Sequence, residues 1–177
     1  MRISEILVEA ISDPLLYHGT KVENIPSILD AGAILPSKND RTSASRDRKR
    51  VETTYGKEAY FVLDKRKIAN RQQITPVDWK YGWKNVGDNL PLDPDVLQDR
   101  EDAEESIKGP VKLNAVLELV LNVTPTPGEI EIGQYVKQHP ESLEFNRGML
   151  YSDRINQYKE YAKQFAKLGI KTTLKKY

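Results

Sequence analysis

The stretch "LLYHGTKVENIPSILDAGAILPS" (15–37) decides the fold, because it holds a strand, a helix and an extended segment in quick succession. "LLYHG" (15–19) is short and apolar and predicts a buried strand. "NIPSILDAG" (24–32) predicts a helix, with an asparagine as N-cap, a proline in the first turn and a glycine at the end. "AILPS" (33–37) predicts extended chain after the helix.

His18 is one of only two histidines in the chain, and it stands at the end of the predicted strand. One interpretation is a half-buried histidine that forms a local hydrogen bond, as many histidines do. The other depends on Gly19, since a glycine after a strand lets a ligand approach the backbone N–H and C=O. Such a donor and acceptor pair suits a carboxamide, and the adjacent imidazole can bind a hydroxyl.

The composition limits the classes of function. The chain has 177 residues, 38% apolar and 30% charged, with a net charge of +1, so its global charge favours neither nucleic acid nor membrane as a partner. The absence of cysteine excludes disulfides, thiolate nucleophiles and zinc sites with cysteine ligands. With two histidines, a metal site is not expected. No apolar run is long enough for a membrane span.

The remaining patterns predict an α+β domain over residues 1–177, flanked by helices at both ends. A long segment rich in Gly, Pro, Asn and Asp carries aromatic residues and predicts a loop of functional importance. The predicted elements are an N-terminal helix (1–13), strands within 59–64, 103–113 and 114–123, the long loop (77–100), a helix (152–169) and a final edge strand (170–177).

Three further stretches carry polar side chains suited to a site. "EDAEES" (101–106) is either a solvated acidic loop or a source of one carboxylate that stabilises positive charge on a sugar ring. "SASRD" (43–47) is either a polar edge strand or a binding segment, in which the serines bind substrate and Arg46 meets a phosphate. Tyr60, within "AYFVLD" (59–64), is most simply an aromatic residue of the core.

Taken together, these motifs resemble the ADP-ribosyltransferase superfamily. "LYHGT", the helix ending in "ILDAG" and the extended "AILPS" are similar to the opening of its His-Tyr-Glu branch. "SASRD" resembles the second motif of small bacterial and phage members, and "DAEESIKGPVKL" (102–113) resembles the third motif, an acidic segment that starts a strand. The three motifs occur in the family's order within residues 15–113.

The resemblance implies two small antiparallel sheets that form a cleft for NAD. Gly19 would bind the nicotinamide carboxamide through its backbone, and His18 would bind the adenosine-side ribose. A glutamate would hold the nicotinamide ribose and stabilise the oxocarbenium-like state as nicotinamide leaves. The residues implied in NAD binding are His18, Gly19, Thr20, Ser43, Ser45, Arg46 and Tyr60.

Two assignments stay open. Family third motifs end in a glutamate, which fits Glu104, with Glu105 as the near alternative catalytic residue. The family's tyrosine, which stacks on nicotinamide, corresponds to either Tyr55 or Tyr60, or is replaced by a serine of the second motif.

The function implied is an NAD-dependent mono-ADP-ribosyltransferase that modifies a host protein or nucleic acid and releases nicotinamide, with no metal. "MRISEIL" (1–7) also resembles the start of many tailed-phage proteins, which implies a phage-encoded toxin or host-takeover enzyme in the host cytoplasm. We expect a monomer that binds NAD and a macromolecular acceptor and no membrane. The alternatives are an RNA 2′-phosphotransferase, which shares "LYHGT" but depends on basic catalytic residues, and an inactive phage structural or host-binding protein with the same fold. Arg41, Arg46 and Arg48 keep the first alternative open.

Overall fold

The computed structural model describes residues 14–37, 40–54, 56–77, 104–142 and 150–176. The predicted N-terminal helix (1–13), Tyr55 and residues 78–103 of the predicted loop and acidic segment lie outside this part. The chain divides into two compact units, Met1–Leu117 and Glu118–Tyr177. That residues 1–177 form a single domain stays a prediction.

Most of the first unit's strands lie side by side in one antiparallel arrangement, in the order β5-β6-β3-β1-β4, while β2 and β7 form a separate antiparallel pair. The strands are β1 (Leu15–Thr20), β2 (Ala33–Ile34), β3 (Arg41–Ser45), β4 (Ala59–Asp64), β5 (Ile74–Val77), β6 (Glu104–Lys108) and β7 (Val111–Lys112). The helices are α1 (Ile25–Ala31), α2 (Arg48–Thr53) and α3 (Lys65–Ala69).

The central strands of this unit are apolar because both of their faces are covered. Five of the six residues of β4 are buried, and Leu16 of β1 is fully buried. The short helices begin where the sequence offers a cap: Asp47 accepts from the backbone N–H of Arg50 at the start of α2, and Asp64 caps α3. These two aspartates therefore fix how the chain leaves β3 and β4.

The second unit consists of β8 (Val116–Asn122, starting two residues before the boundary), α4 (Pro127–Gln138), α5 (Tyr151–Lys167) and β9 (Lys171–Lys175). β9 runs parallel to β8. Helix α4 starts with a capping box between Thr126 and Glu129. Arg154 on α5 pairs with Glu129 and donates to the carbonyl oxygens of Asn122 and Thr124, so one side chain ties α5 to α4 and to the end of β8.

The strands predicted within 15–19, 59–64 and 114–123 and the helices within 24–32 and 152–169 are confirmed, with boundaries shifted by one or two residues. The prediction of two small antiparallel sheets is wrong in its proportions, because five strands of the first unit belong to one large sheet and only β2 and β7 stand apart. Helix α2 and strand β5 were not predicted, since both are short and largely polar. Gly109, with φ of +80°, divides the predicted strand 103–113 into β6 and β7.

Candidate functional site

The site begins where β1 and β3 separate. The register between the two strands rests on one pair, Tyr17 with Ser45. Beyond that pair, β1 and β3 are connected by a side chain, because His18 Nδ1 lies 2.6 Å from the carbonyl oxygen of Ser43. Because a carbonyl oxygen only accepts, Nδ1 carries the proton, and Nε2 of the neutral ring is left as an acceptor.

Burial lowers the pKa of His18 from its ordinary value, against the smaller opposing effect of the hydrogen bond to Ser43. The neutral ring is therefore the dominant form at neutral pH. Its orientation is set by the Ser43 carbonyl, and its free nitrogen is suited to accept a hydrogen bond from a hydroxyl group.

A first cavity of about 140 Å³, which we call the inner cavity, opens beside His18. An enclosed space of about 150 Å³ is enough for one six-membered aromatic ring. Because glycine has no side chain, Gly19 presents its backbone to this space. The lining residues are Tyr17, His18, Gly19, Ser43, Ala44, Ser45, Val51 and Glu104.

A second cavity of about 260 Å³, the outer cavity, also includes His18 in its wall. Among the described residues, its lining combines hydroxyl and amide groups with apolar side chains, and its titratable group is His18, which is neutral at neutral pH. The residues are His18, Thr20, Asn24, Ser27, Ile28, Ile34 and Leu35. His18 therefore stands between two spaces, one lined partly by strands β1, β3 and β6 and the other formed with α1 and β2.

Glu104 is the carboxylate of the inner cavity. Its register partner on β3 is Ser45, whose own partner on β1 is Tyr17, so the three residues share one face of the sheet. Burial raises the pKa of Glu104, and the Arg50 guanidinium, 3.7 Å away, opposes that rise. The result is a mostly buried acid in a cavity that Gly19 and His18 also line.

Glu105 points to the opposite face and is 1% exposed. Its Oε1 accepts from Arg46, at 2.8 Å from Nε and 2.6 Å from Nη2, and from Lys65 Nζ at 2.7 Å. Its Oε2 is buried and has no hydrogen-bond partner within the described part of the chain. Glu105 is thus the centre of a buried ion cluster (Arg46, Lys65 and Glu105) and does not line either cavity.

The structure brings together some of the predicted site residues and separates others. His18, Gly19, Ser43, Ser45 and Glu104 line the inner cavity, and Thr20 lines the outer one. Arg46 instead pairs with Glu105 in the buried ion cluster.

Tyr60 is 1% exposed, and its hydroxyl donates to Glu52 at 2.7 Å and accepts from Arg48 at 3.0 Å. Its ring edge packs against Tyr17. The ring is covered in this arrangement, and the prediction that Tyr60 stacks on nicotinamide stays a prediction.

Three residues at the inner cavity were missed by the sequence analysis. Tyr17 and Val51 line it, and Arg50 approaches its carboxylate. Tyr17 carries a signal that was available, because it is two residues before Gly19 on the same strand and must share its face. Val51 and Arg50 lie on α2, which had no apolar pattern long enough to predict.

Within the described ranges, no group of three or more His, Asp or Glu residues is arranged to hold a metal ion. No helix in the described part of the chain is both long and apolar enough to cross a membrane.

No protein-family model matches the chain, and no curated protein matches it significantly in sequence. Among solved structures, the chain is similar to DarT of Thermus sp. 2.9 in complex with NAD⁺, with a TM-score of 0.40 and 14% identity over 73% of this chain and 91% of that one. The same protein with ADP-ribosylated single-stranded DNA gives a TM-score of 0.39 and 14% identity over 72% and 90% of the two chains. A likeness at this level decides nothing about the activity of this chain.

Proposed function

We propose that this protein is an NAD-dependent ADP-ribosyltransferase that transfers ADP-ribose to a macromolecule and releases nicotinamide. The observation that carries the proposal is that His18 and Gly19 line one cavity of the size of a single aromatic ring together with Glu104, which follows them by more than eighty residues along the chain. Each supplies a group that this reaction needs, and the backbone, the imidazole and the carboxylate meet in the same space.

In the proposed mode of binding, nicotinamide occupies the inner cavity and its carboxamide bonds to the backbone of Gly19. Tyr17 is the aromatic side chain in the wall of that cavity. The adenosine half occupies the outer cavity, where Thr20, Asn24 and Ser27 offer hydrogen bonds beside apolar side chains. His18 stands between the two halves, and its Nε2 accepts a hydrogen bond from a ribose hydroxyl.

The reaction breaks the bond between the nicotinamide nitrogen and C1′ of the ribose. Nicotinamide leaves with the electron pair and becomes neutral, so it requires no proton from an acid. Positive charge then develops on C1′ and the ring oxygen, and the ionised carboxylate of Glu104 stabilises it. A nucleophile of the acceptor attacks C1′ and loses its proton, which completes the transfer.

The test is release of nicotinamide from NAD by the wild type and by Glu104→Gln. Glutamine keeps the size of the side chain but removes its charge, so we expect the rate to fall about 10²- to 10³-fold, the cost of removing one transition-state contact. NAD affinity, measured by calorimetry, should change less than about threefold, because that contact acts mainly in the transition state. Glu23→Gln is the matched control, since that glutamate is exposed and pairs only with Lys21 among the described residues.

Wild-type protein that releases no nicotinamide, even with a cell lysate present as a source of acceptors, would contradict the proposal. So would a Glu104→Gln variant as active as Glu23→Gln. The acceptor is identified in the same lysate with NAD labelled in its adenine. Loss of label from the macromolecular fraction after protease treatment identifies a protein acceptor, and loss after nuclease treatment identifies a nucleic acid.

A further inference from the structure

We propose that Arg50 is a positioning residue for the proposed reaction, and that its guanidinium keeps the Glu104 carboxylate ionised and available to the inner cavity. This inference rests on the proposed function for its role in the reaction. It rests on geometry for the pairing itself: Arg50 Nη2 lies 3.7 Å from Glu104 Oε1, and the two side chains are only 16% and 14% exposed.

Arg50 is held in place by its own helix. Its backbone N–H donates to the side chain of Asp47, the N-cap of α2, at 3.2 Å. The next residue, Val51, is 1% exposed and lines the inner cavity. Because the cap and the buried valine fix α2 at the rim of the cavity, the Arg50 side chain is directed at Glu104 by the fold and not by a chance surface contact.

The distance between the two charges matters as much as their pairing. At 3.7 Å the guanidinium is beyond direct hydrogen-bond distance, so this contact is an ion pair that leaves the carboxylate oxygen able to accept from another donor. In the buried ion cluster, by contrast, both cations contact Glu105 Oε1 directly, at 2.6 to 2.8 Å. Arg50 therefore supplies charge to Glu104 while a ribose hydroxyl can still bind there.

The surroundings of Glu104 offer little other compensation for its charge. Its register partners are Ser45 on β3 and Val77 on β5, both uncharged. His18 of β1 lines the same cavity and is neutral at neutral pH, because burial lowers its pKa. Among the described residues, Arg50 is thus the cation that faces Glu104, and the pKa of Glu104 is raised by burial and held down by Arg50.

The test is a direct titration of Glu104 by ¹³C NMR of its side-chain carboxyl carbon, assigned by the signal that disappears in Glu104→Gln. In Arg50→Gln we expect the midpoint to move up by about one pH unit or more, because the opposing cation is removed. In Arg50→Lys, which keeps a cation, the shift should be less than half as large. Lys49→Gln is the matched control: it lies in the same helix, is exposed, and loses the same charge.

A midpoint in Arg50→Gln that equals that of the wild type would overturn the proposal, and so would an equal shift in Lys49→Gln. If Arg50→Gln does not fold, Arg50→Met is titrated in its place, and a folded Arg50→Met whose midpoint equals that of the wild type means that Arg50 has a structural role only and the proposal fails. These outcomes do not depend on catalysis, so failure of the proposed function is seen separately, as wild-type protein that releases no nicotinamide.

Where nicotinamide is released, its pH dependence gives the second readout. We expect the acidic limb of kcat/KM to move to higher pH in Arg50→Gln by the same amount as the NMR midpoint, and not to move in Lys49→Gln. KM for NAD near pH 8 should change less than about threefold. A uniform loss of kcat at every pH would contradict a role through the charge of Glu104.

Discussion

The two faces of β6 give the same side chain opposite surroundings. Glu104 lies beside a cavity with one cation 3.7 Å away, whereas Glu105, the next residue, is fully buried and in direct contact with two cations. Alternation along a strand makes this separation unavoidable. One of the two glutamates has an accessible carboxylate suited to chemistry, and the other has its charge committed to linking the ends of β3 and β4 to β6.

Glu104 and Glu105 therefore cannot share a role, although they are neighbours at the start of one strand. A carboxylate in direct contact with an arginine and a lysine is stabilised as an anion and has little to gain from a developing cation on a substrate. A carboxylate desolvated beside a single, more distant cation retains that capacity. This is why we assign the proposed catalytic role to Glu104 and a structural role to Glu105.

The largest effect that would separate the roles of Glu104 and Glu105 is the loss of stability in Glu105→Gln. The change leaves Arg46 and Lys65, both mostly buried, without their shared counter-charge, so we expect the free energy of unfolding to fall by about 3–5 kcal/mol. Urea denaturation measures it. The matched control is Glu23→Gln, whose exposed pair with Lys21 should contribute at most about 1 kcal/mol.

The buried ion cluster can also be replaced as a whole. Because the three mutually paired charges are removed together, a triple variant with Arg46→Met, Lys65→Met and Glu105→Leu should recover most of the stability that Glu105→Gln loses. Nicotinamide release should be retained in the triple variant if Glu105 has no direct part in the reaction. A fully folded but inactive triple variant would contradict the structural role of Glu105 and would indicate that Glu105 takes part in the reaction.

A smaller loss of stability is expected at Tyr60. This residue shares a sheet face with Glu104 but is fully buried. Tyr60→Phe keeps the ring and removes the hydroxyl that bridges Glu52 and Arg48. We expect a loss of about 1–2 kcal/mol in the free energy of unfolding, measured by urea denaturation, and an unchanged KM for NAD. A severalfold rise in KM would indicate that the hydroxyl contacts the substrate instead.

The smallest effect is a gain of stability in Glu104→Gln. Burial raises the pKa of Glu104 above the ordinary value of 4.5, so the ionised form is a cost to the folded state. Below pH 4.5 the carboxyl is protonated in both states and the variant should match the wild type. As pH rises through the raised pKa, the wild type becomes the less stable of the two. Melting temperatures between pH 4 and 8 measure this, and a variant less stable than wild type at pH 8 contradicts it.

Much of the fold was predictable because its strongest elements are local. The strand at 59–64 is short and rich in aromatic and β-branched residues, and the helix at 152–169 has its apolar residues at helical spacing, so each element is indicated by its own residues. Helix α2 was not predictable, because its six residues are mostly charged and it depends on the cap of Asp47 and on the burial of Val51. The size of the main sheet was not predictable either, since strand pairing joins residues distant in sequence, such as Ser43 with Ser106.

The candidate site divides in the same way. His18 and Gly19 were singled out by their place at the end of a strand, which is a property of the sequence. The sequence also determined that Glu104 and Glu105 lie on opposite faces, since side chains alternate along any strand. It did not determine which face was open. That depended on where Arg46, Arg50 and Lys65 come to lie, and only the packing of β3, α2 and β4 around β6 placed two cations against Glu105 and one at a distance from Glu104.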